Sequence, residues 1–322
     1  MPIHNLGYRR WDGPLSSAGS RWTVIAGIGI RRAWQSTWLR RIIFFAWVPG
    51  VLMAMLIYLF EQSIADGNQN AFFYNNALDW LLGRTGDVSR AQIAADAARH
   101  AQDMVTFRHR FWCSLLQVLY QRSQAFVLIP VVGITAPPLI SQDMRSRAFL
   151  LYFSRPISRT QYIAGKAAAV ACYVLFISFL PGMMLYITGV LLSPDVSILL
   201  DTWDIPIRIT VASAVMVIPT TCLALMLSSM TTETRFASFA WFLVWIFGLF
   251  SNIVTDEFAQ GREDSPLQML SLFRVIADVQ SWLLDVRADT QIEVMAPVAV
   301  LVGLTIVSLT VLYRRVSAPM NV

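Results

Sequence analysis

The sequence predicts an all-α polytopic membrane protein, with six transmembrane helices preceded by an interfacial amphipathic helix and with helical extracytoplasmic segments. Of its 322 residues, 56% are hydrophobic and 14% are charged, whereas soluble domains are about 45–50% apolar and about 25% charged. The apolar residues form long uninterrupted runs. This excludes a soluble enzyme, a disordered chain and a transmembrane barrel, because barrel strands alternate apolar and polar residues.

Six apolar runs are long enough to cross a bilayer. A helix rises about 1.5 Å per residue, so about 20 residues cover a hydrocarbon core of about 30 Å. We predict a single transmembrane domain over residues 1–322, with spans at residues 42–60, 120–140, 167–192, 209–228, 236–254 and 296–313. The spans are expected to be helical because lipid offers no partner to an unpaired backbone amide.

Basic residues are concentrated in alternate connecting segments. Fifteen basic and three acidic residues lie in segments 1–41, 141–166, 229–235 and 314–322. Nine basic and seventeen acidic residues lie in segments 61–110, 193–208 and 255–295. Because cytoplasmic loops carry the excess of Lys and Arg, the first set is predicted to be cytoplasmic. Both termini then lie in the cytoplasm, and the chain spans the inner membrane of a bacterium.

The segments outside the spans are predicted to be helical as well. Residues 20–41 interleave apolar and tryptophan side chains with arginines, which favours an interfacial helix in contact with anionic lipid over a solvated soluble helix. Residues 61–110 and 255–295 are rich in helix formers or apolar helical spacing. His100 and His109 lie near acidic residues in the first of these, but isolated histidines are more often surface residues than metal ligands.

One arginine, Arg122, lies inside a predicted span. At the centre of a bilayer it would cost about 2.5–3.5 kcal/mol on insertion scales. Two interpretations stay open. Its long side chain reaches the headgroups from the outer end of the span, where glutamines cluster around it, or it lines a cavity.

The sequence lacks the motifs of a nucleotide-hydrolysing or proteolytic enzyme. Lys166 is its single lysine, and it is followed by Ala167 where a P-loop needs Ser or Thr, with Thr160 where the first glycine belongs. The six predicted spans contain no acidic residue or histidine, which argues against a proton-driven carrier. We therefore predict a non-catalytic membrane subunit without catalytic, cofactor-binding or metal-binding residues, driven by a partner.

The segment between the second and third spans is a candidate docking element. Residues 143–153 can form a short helix in which apolar side chains lie beside Arg145 and Arg147, and Arg155-Pro156 then ends it. An ordinary positive-inside loop explains the arginines but not the aromatic and aliphatic residues between them. The pattern alone leaves both interpretations open.

The sequence resembles the ABC-2 type permeases, the membrane subunits of a large class of ABC transporters. The resemblance covers the basic interfacial helix, the six-span layout and the pattern Asp143…Phe149-Leu150…Ser154-Arg155-Pro156…Gly165-Lys166. The opening residues 7–14, GYRRWDGP, are similar to the start of permeases grouped with multicopper-enzyme maturation systems.

The resemblance implies a coupling helix after span two that enters a groove of the ATPase. Its residues here are Asp143, Met144, Arg145, Arg147, Phe149 and Leu150, with Arg155 and Pro156 fixing the turn that follows. It also implies pairing with a second permease subunit, identical or homologous, and two copies of an ABC ATPase that bind the ATP and Mg²⁺. Lipid is a further expected partner, and nucleic acid is not.

In related permeases spans two and five line the central path. This makes pathway candidates of Arg122, Phe239, Phe242 and Trp245, although lipid-facing aromatics explain the span-five residues better. We predict export or outward movement of a substrate powered by the partner ATPase, and a hydrophobic substrate would suit the aromatic side chains of span five. The alternative is an ATP-driven component of an assembly or maturation complex that acts on an extracytoplasmic partner through residues 61–110 and 255–295, without solute export.

Overall fold

The computed structural model describes residues 18–65, 104–148, 157–193, 197–258, 269–286 and 291–317. These residues are almost entirely helical, and no strand occurs among them. The helices are α1 (Arg21–Trp34), α2 (Thr37–Ala65), α3 (Met104–Val118), α4 (Ala125–Thr135), α5 (Pro137–Arg145), α6 (Arg159–Leu192), α7 (Ile198–Asp201), α8 (Ile205–Ser229), α9 (Thr234–Phe258), α10 (Leu272–Leu283) and α11 (Gln291–Ser317). The predicted all-α class is confirmed.

Six stretches of the described chain are long and apolar enough to cross a membrane, as predicted. They are Thr37–Gln62, Phe126–Arg145, Arg159–Leu192, Ile205–Ser229, Thr234–Ile253 and Val294–Ser317. The third stretch has 34 residues and at about 1.5 Å per residue is longer than a bilayer is thick. At least one of its ends therefore extends beyond the hydrocarbon core.

The second span is a series of short helices. A π-helical segment, Leu119–Gln124, joins α3 to α4, and the chain bends at Ala136 before α5 begins. Pro137 lies at the start of α5, where proline is tolerated because the first amides of a helix have no intrahelical partner. The prolines therefore kink the C-terminal end of this span, and they set α5 apart as a helix of its own.

The centre of the bundle is formed by α6 and α8. Helix α6 packs against α1, α2, α4 and α8, and α8 also packs against α5, α10 and α11. In α6, α8 and the second span, half or more of the residues in the most apolar part of the span are buried. In α2, α9 and α11 the buried share is less than a third. Those three outer helices expose large apolar side chains along their length, such as Phe44, Ile246 and Ile306.

The predicted interfacial helix is two helices, because the chain turns at Gln35 and Ser36 between α1 and α2. Helix α1 packs closely on α6. A Cβ added at Gly165 would lie 2.7 Å from the Cβ of Ile25, so only glycine allows this approach. On the other side of α1, Val24 and Ile28 are exposed beside arginines, as the amphipathic pattern predicts.

Candidate coupling site

Helix α5 lies at the end of the bundle where α6 begins, here named the coupling end. The first amides of a helix need acceptors from outside it, and Ala136, at the cap position, has no side chain that could accept. Ser228 of α8 supplies the acceptor. Its Oγ lies 3.2 Å from the backbone nitrogens of both Ile140 and Ser141, and it donates to the carbonyl of Pro137 at 2.6 Å. The start of α5 is thus fastened to α8.

The last turn of α5 is fastened to α6 by a buried ion pair. Nζ of Lys166 lies 2.7 Å from Oδ2 of Asp143, and these side chains are 8% and 11% exposed. The hydroxyl of Tyr162, also on α6, donates to the same oxygen at 2.7 Å. A buried carboxylate with a cation and a hydroxyl donor has the partners that its desolvation requires.

The middle and the last residue of α5 are linked to α9 and to the connection that precedes it. The hydroxyls of Ser141 and Thr234 lie 3.0 Å apart. On the surface, Nη1 of Arg145 lies 3.4 Å from Oε2 of Glu233. A helix of nine residues is therefore bonded to three long helices, α6, α8 and α9, or to their flanking residues.

Helix α5 ends in a Schellman motif. The amide of Ala148 donates to the carbonyl of Asp143 at 2.9 Å, and the amide of Arg147 points at the carbonyl of Met144 at 3.3 Å. Arg147 has a φ of 53°, at the position where glycine is usual because a Cβ is unfavourable there. The motif turns the chain sharply, and both Arg145 and Arg147 are exposed.

The structure separates the predicted coupling residues into a buried and an exposed set. Asp143 is buried, Met144 is half-buried, and Arg145 and Arg147 are exposed. The remaining predicted residues lie outside the described part of the chain; they are Phe149, Leu150, Arg155 and Pro156. The burial of Asp143 favours a role inside the chain over direct contact with a partner. Contact of the segment with an ATPase stays a prediction.

Sequence reasoning missed the residues that hold α5 from other helices. Tyr162, Ser228 and Thr234 are common polar residues in spans or loops, and nothing in their local pattern marks them. A signal did exist for Lys166, since it is the single lysine of the chain and lies in a predicted coupling loop with one acidic residue, Asp143. A buried pair could have been proposed from that.

The predicted pathway residues do not form one surface. Phe239 is 66% exposed and Phe242 is 37% exposed, whereas Trp245 is 3% exposed and lines a small cavity with Tyr120, Gln121 and Gln280. Phe242 contacts α4 at Gly133, where an added Cβ would lie 2.9 Å from its ring. The backbone of Arg122 lies in the π-helical segment, and its side chain lies outside the described residues. Only Trp245 of the three aromatics faces the interior.

The opposite end of the bundle carries a second set of ion pairs. Arg108 of α3 donates to both carboxylate oxygens of Glu61 of α2 at 2.9 Å, inside the protein. Nε2 of His109 lies 3.0 Å from both oxygens of Asp204, and Arg208 donates to Asp204 at 2.6 Å. His109, interpreted from the sequence as a surface residue, is therefore part of a helix-to-helix contact.

These contacts change the acidity of Asp204. Burial raises the pKa of Asp204, but the hydrogen bonds and charges of Arg208 and His109 outweigh it and leave the pKa below its ordinary value of 3.8.

The described residues contain no group of three His, Cys, Asp or Glu placed to hold a metal ion. His100 lies outside the described residues, as do 66–103 and 259–268, most of the surface on which the assembly alternative depends.

A model of the protein family described as "ABC-2 family transporter protein" matches residues 34–317. The match includes all six apolar stretches and the whole described part of the coupling end. A search of curated proteins finds no match to this chain. Similarity to the multicopper-enzyme maturation group stays a prediction, because the family match does not distinguish such groups.

Helical composition, six membrane-length apolar stretches and a family match over most of the chain agree with one another. The chain is a multi-pass membrane protein that belongs to the ABC-2 transporter family, as the membrane permease component of an ABC transporter.

Proposed function

We propose that the chain is the permease of an ABC exporter in which α5 and the segment after it receive the movement of a separate ATPase. The family implies an ABC ATPase partner and a dimer in the membrane. We further propose that two ATPase copies serve the dimer and bind the ATP and Mg²⁺. The observation that carries this proposal is the attachment of α5 to α6, α8 and α9.

The attachment gives α5 the properties of a mechanical link. Removing one partner of a buried ion pair costs about 3–5 kcal/mol, so Asp143 and Lys166 are expected to move together. A displacement of α5 then moves α6 through this pair, α8 through Ser228 and α9 through Thr234. We propose that this concerted movement of three spans switches the bundle between the two conformations that transport requires.

The exposed charges at the coupling end suit a docking surface. Arg145 and Arg147 are exposed at the tip of α5, and complementary charges at the rim of an interface direct association and set its register. We propose that this end faces the cytoplasm of the cell, with both termini on that side of the inner membrane. The excess of basic residues in the connections at this end supports the orientation.

The substrate is proposed to be hydrophobic or to have a hydrophobic part, and to move outward. Support comes from the apolar interior and from Trp245, which faces it. Transport requires that the substrate and the ATPase each bind the two states of the bundle with different affinity, since a ligand that binds both states equally shifts neither.

The docking proposal is tested by reversing charge at the tip of α5. In Arg145→Glu/Arg147→Glu, we expect the permease to insert in the membrane but to lose copurification with its ATPase. The matched control is Arg314→Glu/Arg315→Glu, which reverses two exposed arginines at the end of α11 and should retain the ATPase. Undiminished copurification of the α5 variant would show that the ATPase binds elsewhere.

A further inference from the structure

A groove with a volume of about 280 Å³ lies between α8 and α11 on the surface of the bundle. It is distinct from the coupling end and from the cavity at Trp245. Its walls are apolar, and include Val211, Val215, Ile218, Val279, Leu301 and Val302. The first three belong to α8, the fourth to α10 and the last two to α11. Several of these side chains remain exposed, Ile218 and Val302 at 52% each.

The side chains that line the groove leave no polar group for an occupant. The polar side chain among them is Thr305, and its hydroxyl donates to the carbonyl of Leu301 in its own helix at 2.7 Å. Water needs two to four polar partners to be held in a cavity. The chemistry of the groove therefore selects hydrocarbon.

The third wall of the groove is held in place by hydrogen bonds. Next to Val279 on α10, the buried Gln280 donates to the carbonyl of Ala212 on α8 at 3.1 Å. One turn further, Arg208 donates to the carbonyl of Leu283 at 2.8 Å. These two bonds fix α10 against α8. The groove is thus a shaped site with three walls rather than a gap between two loosely packed helices.

We propose that this groove binds one acyl chain of a membrane lipid. Both α8 and α11 are membrane-length helices, so the groove opens on the hydrocarbon of the bilayer. A transmembrane helix of a second copy is about 10–12 Å across with its side chains, so it could insert only single side chains and would lie over the groove rather than fill it. A single alkyl chain fits inside the groove, and it covers apolar surface on all three walls. The proposal does not depend on the transport function proposed above.

Photolabelling of the full-length permease tests this site. The protein is reconstituted in liposomes that contain a phosphatidylcholine with a diazirine in one acyl chain, irradiated and digested, and the labelled residues are quantified by mass spectrometry. We expect label to concentrate on residues 211–219 and 298–306, several-fold above the exposed face of α2 around Phe44, where lipid exchanges freely.

Filling the groove should remove that label. Val215→Trp places a large side chain in the groove, and Val302→Trp does so from the opposite wall in case the first variant does not fold. The matched control, Val307→Trp, changes an equally apolar and exposed position of α11 that does not line the groove. We expect the label on the groove residues to fall several-fold in either filling variant and to stay unchanged in the control.

Three results would overturn the proposal. Equal labelling of the groove and of the α2 face would show ordinary surrounding lipid. Equal labelling of the filled and control variants would place the lipid elsewhere. Crosslinks to a second copy of the permease through Ile218→Cys or Val302→Cys would show that a neighbouring copy covers the groove.

Discussion

The two ends of the helical bundle each bury an ion pair, but the pairs join different kinds of element. At the coupling end, Asp143 of the nine-residue α5 is paired with Lys166 of α6. At the opposite end, Glu61 of α2 is paired with Arg108 of α3, and these two helices also stack Phe60 on Phe111 with ring centroids 4.1 Å apart. The first pair holds a short helix in place, whereas the second reinforces helices already held by apolar contacts.

The two ends also differ in how their charged side chains near the surface are bonded. At the opposite end, Asp204 is bonded to both His109 and Arg208, so its carboxylate already has charged or polar partners within the chain. At the coupling end, Arg147 is exposed, and Arg145 shares a solvent-exposed pair with Glu233. Such exposed pairs contribute about 0–1 kcal/mol and are easily exchanged for another partner. Both ends therefore stabilise the bundle, but only the coupling end has exposed arginines, Arg145 and Arg147, of the kind that the proposed docking requires.

The largest effect is expected from Asp143→Asn. The amide can still accept from Tyr162 but leaves Lys166 buried without an opposite charge, which should cost about 3–5 kcal/mol of unfolding free energy. Thermal or denaturant unfolding in detergent measures it. The double variant Asp143→Asn/Lys166→Met should recover most of the loss. A single variant as stable as the wild type would show that the pair does not hold α5.

Ser228→Ala should have the next largest effect. It removes the acceptor for two amides at the start of α5, a loss comparable to that of a helix cap, about 0.5–2 kcal/mol. Ser229→Ala is the matched control, because the Ser229 hydroxyl bonds only within its own helix, to Met226. Equal unfolding free energies of the two variants would contradict the assigned role of Ser228. ATPase stimulation should fall in the first variant alone.

The opposite end should respond to acid through Asp204. Because its pKa is lowered on folding, its contribution to stability is complete above the ordinary value of 3.8 and is lost as pH falls through the lower folded pKa. Unfolding temperature should therefore fall more steeply below about pH 4 in the wild type than in Asp204→Asn. Parallel pH profiles of the two proteins would exclude this contribution.

The smallest change in stability is expected from Arg147→Gly. Glycine relieves the left-handed backbone but costs entropy, so unfolding free energy should change by no more than about 1 kcal/mol. Copurification with the ATPase should weaken, since the guanidinium is gone. Asp285→Gly is the counterpart at the opposite end, where α10 ends with a φ of 56°, and it should leave ATPase binding unchanged. Identical binding by both variants would remove Arg147 from the docking surface.

Much of the fold could be predicted from the sequence because membrane spans are a local property of composition. A run of about 20 apolar residues needs no information about its neighbours to be identified. A break near the end of the second span was predictable, since Pro137 and Pro138 interrupt it. The docking helix was wrongly expected at residues 143–153, because the apolar and basic pattern there gave no sign that the helix ends at Arg145. The break of residues 20–41 into two helices was not, because the turn at Gln35 and Ser36 carries neither glycine nor proline.

The orientation of side chains within each span could not be predicted. Helix α9 is apolar on all sides, so the spacing of Phe239, Phe242 and Trp245 does not show which of them faces inward. Packing against α4 and α10 decides that Trp245 is buried and Phe239 is not. For the same reason, the aromatic content of the span was a poor guide to a pathway.

The sequence by itself determined the membrane class, the number of spans and the family resemblance, because each depends on composition or on residues close together in the chain. Only the tertiary structure decided which charges are buried together. Asp143 and Lys166 are separated by a connection whose sequence does not specify their distance, and Ser228 lies in another span entirely. Long-range contacts of this kind follow from how the helices pack against one another, which no local pattern encodes.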